Sequence, residues 1–152
     1  MFKKLLIFIL CTSIWFVTLL LPIDYSYYSK LILPSFAPSN GFYSIAWTIN
    51  YILLGYSMYS IFSNYKFNNI PKSYRLSLLI NYLFNQSFVI VFFILKSSFL
   101  GFVSCVGTFV SSVFLYQESL QLNKKSTLVL RLYVLFNVFA TILSLAIYLL
   151  NG

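Results

Sequence analysis

Tyr43, Trp47, Tyr51 and Gly55 recur at every fourth residue. On a helix that spacing sets two tyrosines, a tryptophan and a glycine along one face. Flat rings edged by hydroxyl and indole groups suit a flat, mostly apolar ligand. Further along, Asn81 and Asn85 are four apart, Phe88 and Phe92 continue their face, and Gln86 lies about 100° around the helix from Asn85. Near the C-terminus, Tyr133, Phe136, Ala140, Leu143, Ser144 and Ile147 fall at helical spacing. Together the three faces could enclose an aromatic pocket with a few amides and hydroxyls. The same spacings also describe plain helix packing. On that reading the rings only pack, and Asn85 and Asn50 are contacts between helices worth roughly 0.6–2 kcal/mol. Ser104, Thr108 and Ser112, with Gly101 and Cys105 beside them, form a small-residue stripe for close helix approach, within one chain or between two.

Other chemistry is excluded by what the chain lacks. It has no histidine and two acids, Asp24 and Glu118. Ordinary metal sites and Ser-His-Asp catalysis are therefore absent, and no acid, base and nucleophile constellation is in view. No catalytic residue, metal or cofactor is expected. Cys11 and Cys105 both sit inside apolar runs and read as buried packing residues. The formal charge of +8 does not indicate nucleic acid, because the cations lie between apolar runs rather than along one face.

These residues must be positioned in lipid. The 152 residues are 61% hydrophobic and 8% charged, with a mean hydropathy of +0.89. A soluble domain carries about 25% charged residues, so this chain is an integral membrane protein of one domain, residues 1–152. Spanning helices need about 20 mostly apolar residues. Five segments qualify: roughly 4–22, 41–63, 74–95, 98–117 and 127–150. The expected fold is an all-α membrane bundle of five helices. The Leu5–Leu21 run is longer than a signal-peptide core and lacks a small-residue cleavage site after it, so it reads as a retained span. Lys96 and its serines leave only a tight hairpin between the third and fourth spans. The longest connection, 23–40, holds Pro34 and Pro38, with Ser39 or Asn40 placed to cap the next helix. Tyr25, Tyr27 and Tyr28 suit an interfacial aromatic belt, or a lid.

Charge sets the orientation. Of ten Lys and Arg residues, Lys3, Lys4, Lys66, Lys72, Arg75, Lys124, Lys125 and Arg131 fall on the N-terminal side of a five-helix topology, and Lys30 and Lys96 on the other. The positive-inside rule then places the N-terminus in the cytoplasm and the C-terminus outside, in a bacterial cell membrane.

The motifs resemble the TspO/MBR family, the bacterial tryptophan-rich sensory proteins and the mitochondrial translocator protein. The loop and second-span pattern reads here as Tyr27-Tyr28, Leu31, Pro34, Phe36, Pro38-Ser39, Tyr43, Trp47, Tyr51, Gly55 and Ser57. The third-span pattern appears as Asn81, Asn85, Phe88 and Phe92-Phe93. The last-span pattern appears as Leu132-Tyr133, Phe136, Phe139-Ala140, Leu143-Ser144, Ile147 and Leu150-Asn151. The likeness covers about residues 27–151. It implies a five-helix bundle, commonly a homodimer, with a cavity that opens toward a lid loop. The implied ligands are porphyrin or haem, or sterol-like molecules. Carried over by position, ligand would meet Trp47, Tyr51, Asn85, Phe88, Phe136, Phe139, Ala140, Leu143 and Ser144, under a lid holding Tyr28, Pro34, Phe36 and Pro38. Family tryptophans are replaced at Tyr27, Phe36, Phe88 and Phe136, and within the motifs Trp47 alone remains. The light-dependent porphyrin degradation reported for some members depends on pocket tryptophans, and phenylalanine is harder to oxidise. The expected function is therefore binding, as sensor, regulator or carrier. The alternatives are a porphyrin-degrading enzyme and a scaffold without ligand.

Overall fold

The computed structural model describes residues 2–24 and 26–152, with backbone alone at Asn40 and Tyr43. Tyr25, the side chain of Tyr43 on the expected stripe, and the expected cap from Asn40 thus lie outside the described residues. Six helices account for most of the chain: α1 Phe2–Ser13, α2 Ser26–Ser29, α3 Asn40–Phe62, α4 Lys72–Val89, α5 Ser98–Ser119 and α6 Lys124–Asn151. Among the described residues there is no strand.

Among the described residues, four helical segments are long and apolar enough to cross a membrane: Phe2–Leu20, Lys72–Ile94, Ser98–Ser119 and Lys124–Asn151. With family membership described below, they make this a multi-pass membrane protein. The helix α3 has the length, at 23 residues, but is not among the four. Its Thr48, Asn50, Tyr51, Tyr56, Ser57, Tyr59 and Ser60 dilute its apolar content. The expected count of five rested on that helix.

Two spans are less regular than their composition suggests. The first, expected as one helix over 4–22, tightens after Ser13 into a 3-10 helix, Ile14–Leu20. The fourth helix widens at its end into a π turn, Ile90–Ile94. That extra residue brings Phe92 and Phe93 inward together. Gly101 makes room for Phe92, since a Cβ there would come within 2.6 Å of the Phe92 ring. The turn into α5 is tight. Lys96 takes a positive φ of 53°, and the Ser97 hydroxyl caps α5 by accepting from the Leu100 N–H. Ser39 stands at the N-cap of α3 without a side-chain hydrogen bond. Asn123 caps α6, accepting from the N–H groups of Lys125 and Ser126.

Polarity runs inside out, as lipid demands. Leu76, Leu79, Leu83, Leu128, Leu132, Leu135 and Ile142 face outward, whereas Asn50, Asn81, Asn85, Gln86, Thr108, Ser112 and Asn137 are buried. The small residues of α5 are used within the chain. Ser104 donates to the Phe84 carbonyl at 2.7 Å and lies 2.7 Å from the Ser87 hydroxyl. Asn50 turns back on its own helix, donating to the Ala46 carbonyl at 2.8 Å, so it is not a contact between helices.

Two apolar clusters form the interior. One, around Trp15, Tyr51, Leu54, Tyr74 and Tyr133, fills the end that carries the 63–71 loop. The other, around Tyr28, Phe88, Phe92, Phe93 and Leu143, fills the opposite end beneath the 21–39 loop. Trp47 packs against both.

Candidate functional site

The α3 face delivers Trp47 to the middle of an aromatic box. Its ring stacks on Phe88 (centroids 5.8 Å apart, planes 23° apart), tilts against Tyr51 at 5.7 Å, and meets Phe136 edge-on at 5.4 Å. On one side of this box lies a cavity of about 340 Å³. Trp47, Tyr51, Thr48, Ser44 and Gly41 of α3 line it, together with Phe88, Val89 and Phe93 from α4 and its π turn. The first span adds Phe16, Thr18 and Leu19, and the loop adds Ile23 and Tyr28. No charged residue is in this lining. Such a site selects by shape and apolar surface, with hydroxyls for orientation.

Four of the expected residues, Trp47, Tyr51, Phe88 and Tyr28, meet at this cavity. The α6 residues stand on the other side of Trp47. Phe136 backs its ring, Ala140, Leu143 and Ser144 are buried, and Phe139 is part-exposed against Phe36 at 6.5 Å. Asn85 does not line the cavity. It is fully buried and donates to the Tyr133 hydroxyl at 2.9 Å.

That bond belongs to a directed chain across four elements. Gln86 Nε2 donates to the Trp15 carbonyl at 3.2 Å and reaches Asn85 Oδ1 at 3.4 Å. The Asn85 amide donates to Tyr133, and Tyr133 donates to Asn81 Oδ1 at 3.2 Å. Asn81 then donates to the Thr108 carbonyl at 3.1 Å and the Ser111 hydroxyl at 3.0 Å. The NH₂ groups of Gln86, Asn85 and Asn81 all find acceptors inside the bundle, where an unsatisfied group is costly, whereas Gln86 Oε1 is buried without a partner. The chain fixes α4, and with it Phe88, behind the cavity.

Phe16 and Leu19 of the first-span wall had no signal in sequence, because they sit in a run, Ile14–Leu20, that is apolar apart from Thr18. Ser44 and Thr48 did have one: with Trp47 and Tyr51 they make an i, i+3, i+4, i+7 face.

The comparisons with known proteins agree with the motifs. A profile described as the TspO/MBR family matches residues 5–150. The chain belongs to the TspO/MBR family. It is 34% identical over 150 residues to the tryptophan-rich protein TspO of Bacillus cereus, covering 98% of this chain and 97% of that protein. Over 133 residues it is 30% identical to the tryptophan-rich protein TspO of Archaeoglobus fulgidus, covering 84% and 81%. It is 29% identical over 132 residues to the membrane protein YtaB of Bacillus subtilis, covering 87% and 84%.

In this TspO/MBR chain the 21–39 loop is tied down at two points. Asn151 at the end of α6 pairs with Ile32 as a second strand would, accepting from its N–H and donating to its carbonyl, both at 2.9 Å. At the other point Lys96 pairs with Asp24 at 3.2 Å, and its carbonyl accepts from the Tyr27 hydroxyl at 2.9 Å. A non-glycine residue at positive φ is strained; the Asp24 ion pair uses the lysine side chain, and the Tyr27 bond holds the backbone of the turn. Beyond the Ile32 tie, the Ala37 N–H donates to the Pro34 carbonyl at 2.9 Å, closing a turn that carries Phe36 over α6, and Pro38 leads into α3.

Hydrogen bonds from Ser26, then Lys96, hold the Asp24 carboxyl below its ordinary value near 3.8. A depressed value contributes order above the ordinary range and loses it as pH falls through the lowered one. The tie should hold at neutral pH and slacken below about pH 4. Lower protection of loop amides at pH 3, relative to the intrinsic exchange rate at that pH, reproduced at pH 7 by Asp24→Asn, is the expected result. Equal exchange in the variant would remove Asp24 from the tie.

Proposed function

We propose that this protein binds a flat, hydrophobic ligand of the tetrapyrrole or sterol-like class beside Trp47, as a membrane sensor or carrier. The cavity walled by Trp47, Tyr51, Phe88 and Tyr28 carries the reading. Its 340 Å³ is at the small end of ligand pockets, roughly 300–1,000 Å³. A whole macrocycle would enter edge-on and keep part of itself at the loop. The carboxylates of a porphyrin would then stay at loop level with Lys30 and Lys96, since the lining offers no cation. Phe136, Phe139, Ala140, Leu143, Ser144 and Asn85 would act from behind, holding the rings that touch ligand, while Pro34, Phe36 and Pro38 shape the covering loop.

In this reading α3 is a fifth span, its polar groups sheltered by α1 and α6, and its 23 residues reach about 35 Å. The cation-rich end faces the cytoplasm, which puts the loop and Asn151 outside.

The test is a protoporphyrin titration in detergent, following Trp47 fluorescence in a Trp15→Phe background. Saturable quenching is expected, and Trp47→Ala, followed by porphyrin absorption, should weaken binding about tenfold through lost stacking. Affinity unchanged by Trp47→Ala would move the site elsewhere. The porphyrin band should persist under illumination; its light-dependent loss would instead favour the degrading enzyme.

A further inference from the structure

A second apolar hollow, of about 560 Å³, lies at the other end of the bundle, between the first span and α4. Its walls include Trp15, Met58, Leu79 and Tyr82, and its mouth holds Lys72 and Arg75. From Lys72 to Tyr82 is ten residues of helix, about 15 Å, the depth of one leaflet of a roughly 30 Å hydrocarbon core. The two cations therefore sit where a headgroup would, and the apolar groove runs inward from them.

The charge at the mouth is not neutralised by the protein. The Arg75 guanidinium lies over the Phe67 ring, 4.7 Å from its centroid, which fixes its direction. Its Nε is buried and has no hydrogen-bond partner. Among the described residues the one ion pair is Lys96–Asp24, at the far end. Glu118, the acid at this end, is engaged by the Ser73 hydroxyl at 2.6 Å, and is not within ion-pair distance of either cation.

We propose that this groove is a site for an anionic phospholipid, with the phosphate on Lys72 and Arg75 and an acyl chain along Leu79 toward Trp15. Planar guanidinium donors suit phosphate oxygens, and basic pockets between membrane helices favour anionic headgroups. The groove is separate from the cavity beside Trp47, so the fate of either assignment leaves the other standing.

Trp15 provides the readout, as it lines the groove. In a Trp47→Phe background, phosphatidylglycerol brominated on its acyl chains should quench Trp15 more strongly than brominated phosphatidylcholine. Lys72→Gln and Arg75→Gln should each lower the preference about fivefold. Lys124→Gln and Lys125→Gln, at the same end but outside the groove, should not. Native mass spectrometry of the unmodified chain should count retained phosphatidylglycerol and lose it in the same two variants. Equal quenching by both lipids would overturn the proposal, as would equal losses in the Lys124 and Lys125 variants. Displacement by glycerol phosphate alone would also overturn it, since the groove would then contribute nothing. So would a cross-linked dimer abolished by Leu79→Trp, which would make a second copy the occupant.

Discussion

Gly55→Leu should detach the first span and lower the thermal unfolding midpoint in detergent more than any other single change at the α1–α3 contact. A Cβ built at position 55 lies 2.6 Å from the Thr12 Cα, closer than real contacts allow. The obstacle is backbone, so no rotamer change relieves it. Overpacking costs about 1–3 kcal/mol where side chains can yield, and the upper end or beyond is expected here. Gly55→Ala should cost less, about 1–2 kcal/mol. Gly41→Ala is the control: a Cβ there meets nothing within 4 Å, so stability should hold or rise slightly. The effect should reach the ligand as well, because Phe16, Thr18 and Leu19 form one wall of the cavity. An unchanged midpoint for Gly55→Leu would mean that α1 does not rest on this glycine. The spacing of four that set Gly55 beside Trp47 and Tyr51 thus combines two jobs: the rings face the pocket, and the glycine seats the helix that closes it.

The bundle was legible where lipid writes a plain signal. The runs that became α4, α5 and α6 were readable to within a few residues, because a span must be long and apolar and its ends carry Lys, Asn or Ser. The breaks inside spans were not. Where all residues are apolar, neither the 3-10 segment after Ser13 nor the π turn at Ile90–Ile94 changes the pattern of types. The π turn is set by a neighbour, as Gly101 shows by admitting Phe92. The helix α3 posed the opposite problem. Its Asn50, Tyr51, Ser57 and Ser60 are buried and make it a good wall but a weak hydropathy signal. Of the site, Trp47, Tyr51 and Phe88 could be found from periodicity, since rings spaced by four stand out. Asn85 stood out equally, yet its amide is spent on Tyr133. Type and spacing place a polar group on an inner face; they do not tell whether it meets ligand or protein.

Asn81→Ala should be the costliest change in the polar interior, about 2–4 kcal/mol. The side chain is fully buried and holds three partners: the Thr108 carbonyl, the Ser111 hydroxyl and the Tyr133 hydroxyl. Single interhelical bonds are worth roughly 0.6–1.5 kcal/mol, and here three are lost at once. Tyr133→Phe should cost less alone, because Asn81 keeps two partners. The two changes should not add: a coupling of at least about 0.5 kcal/mol is expected in a double-mutant cycle. Asn50→Ala is the contrast, since that amide returns to Ala46 on its own helix and should be worth under about 1 kcal/mol. Additive losses for Asn81 and Tyr133 would break the chain argued above. If they couple, Asn85→Ala becomes informative for the site. It should loosen α4 behind Phe88 and weaken ligand binding without touching ligand, and the loss should shrink once stability is restored by lower temperature. A residue that met ligand directly would show the same loss at every temperature.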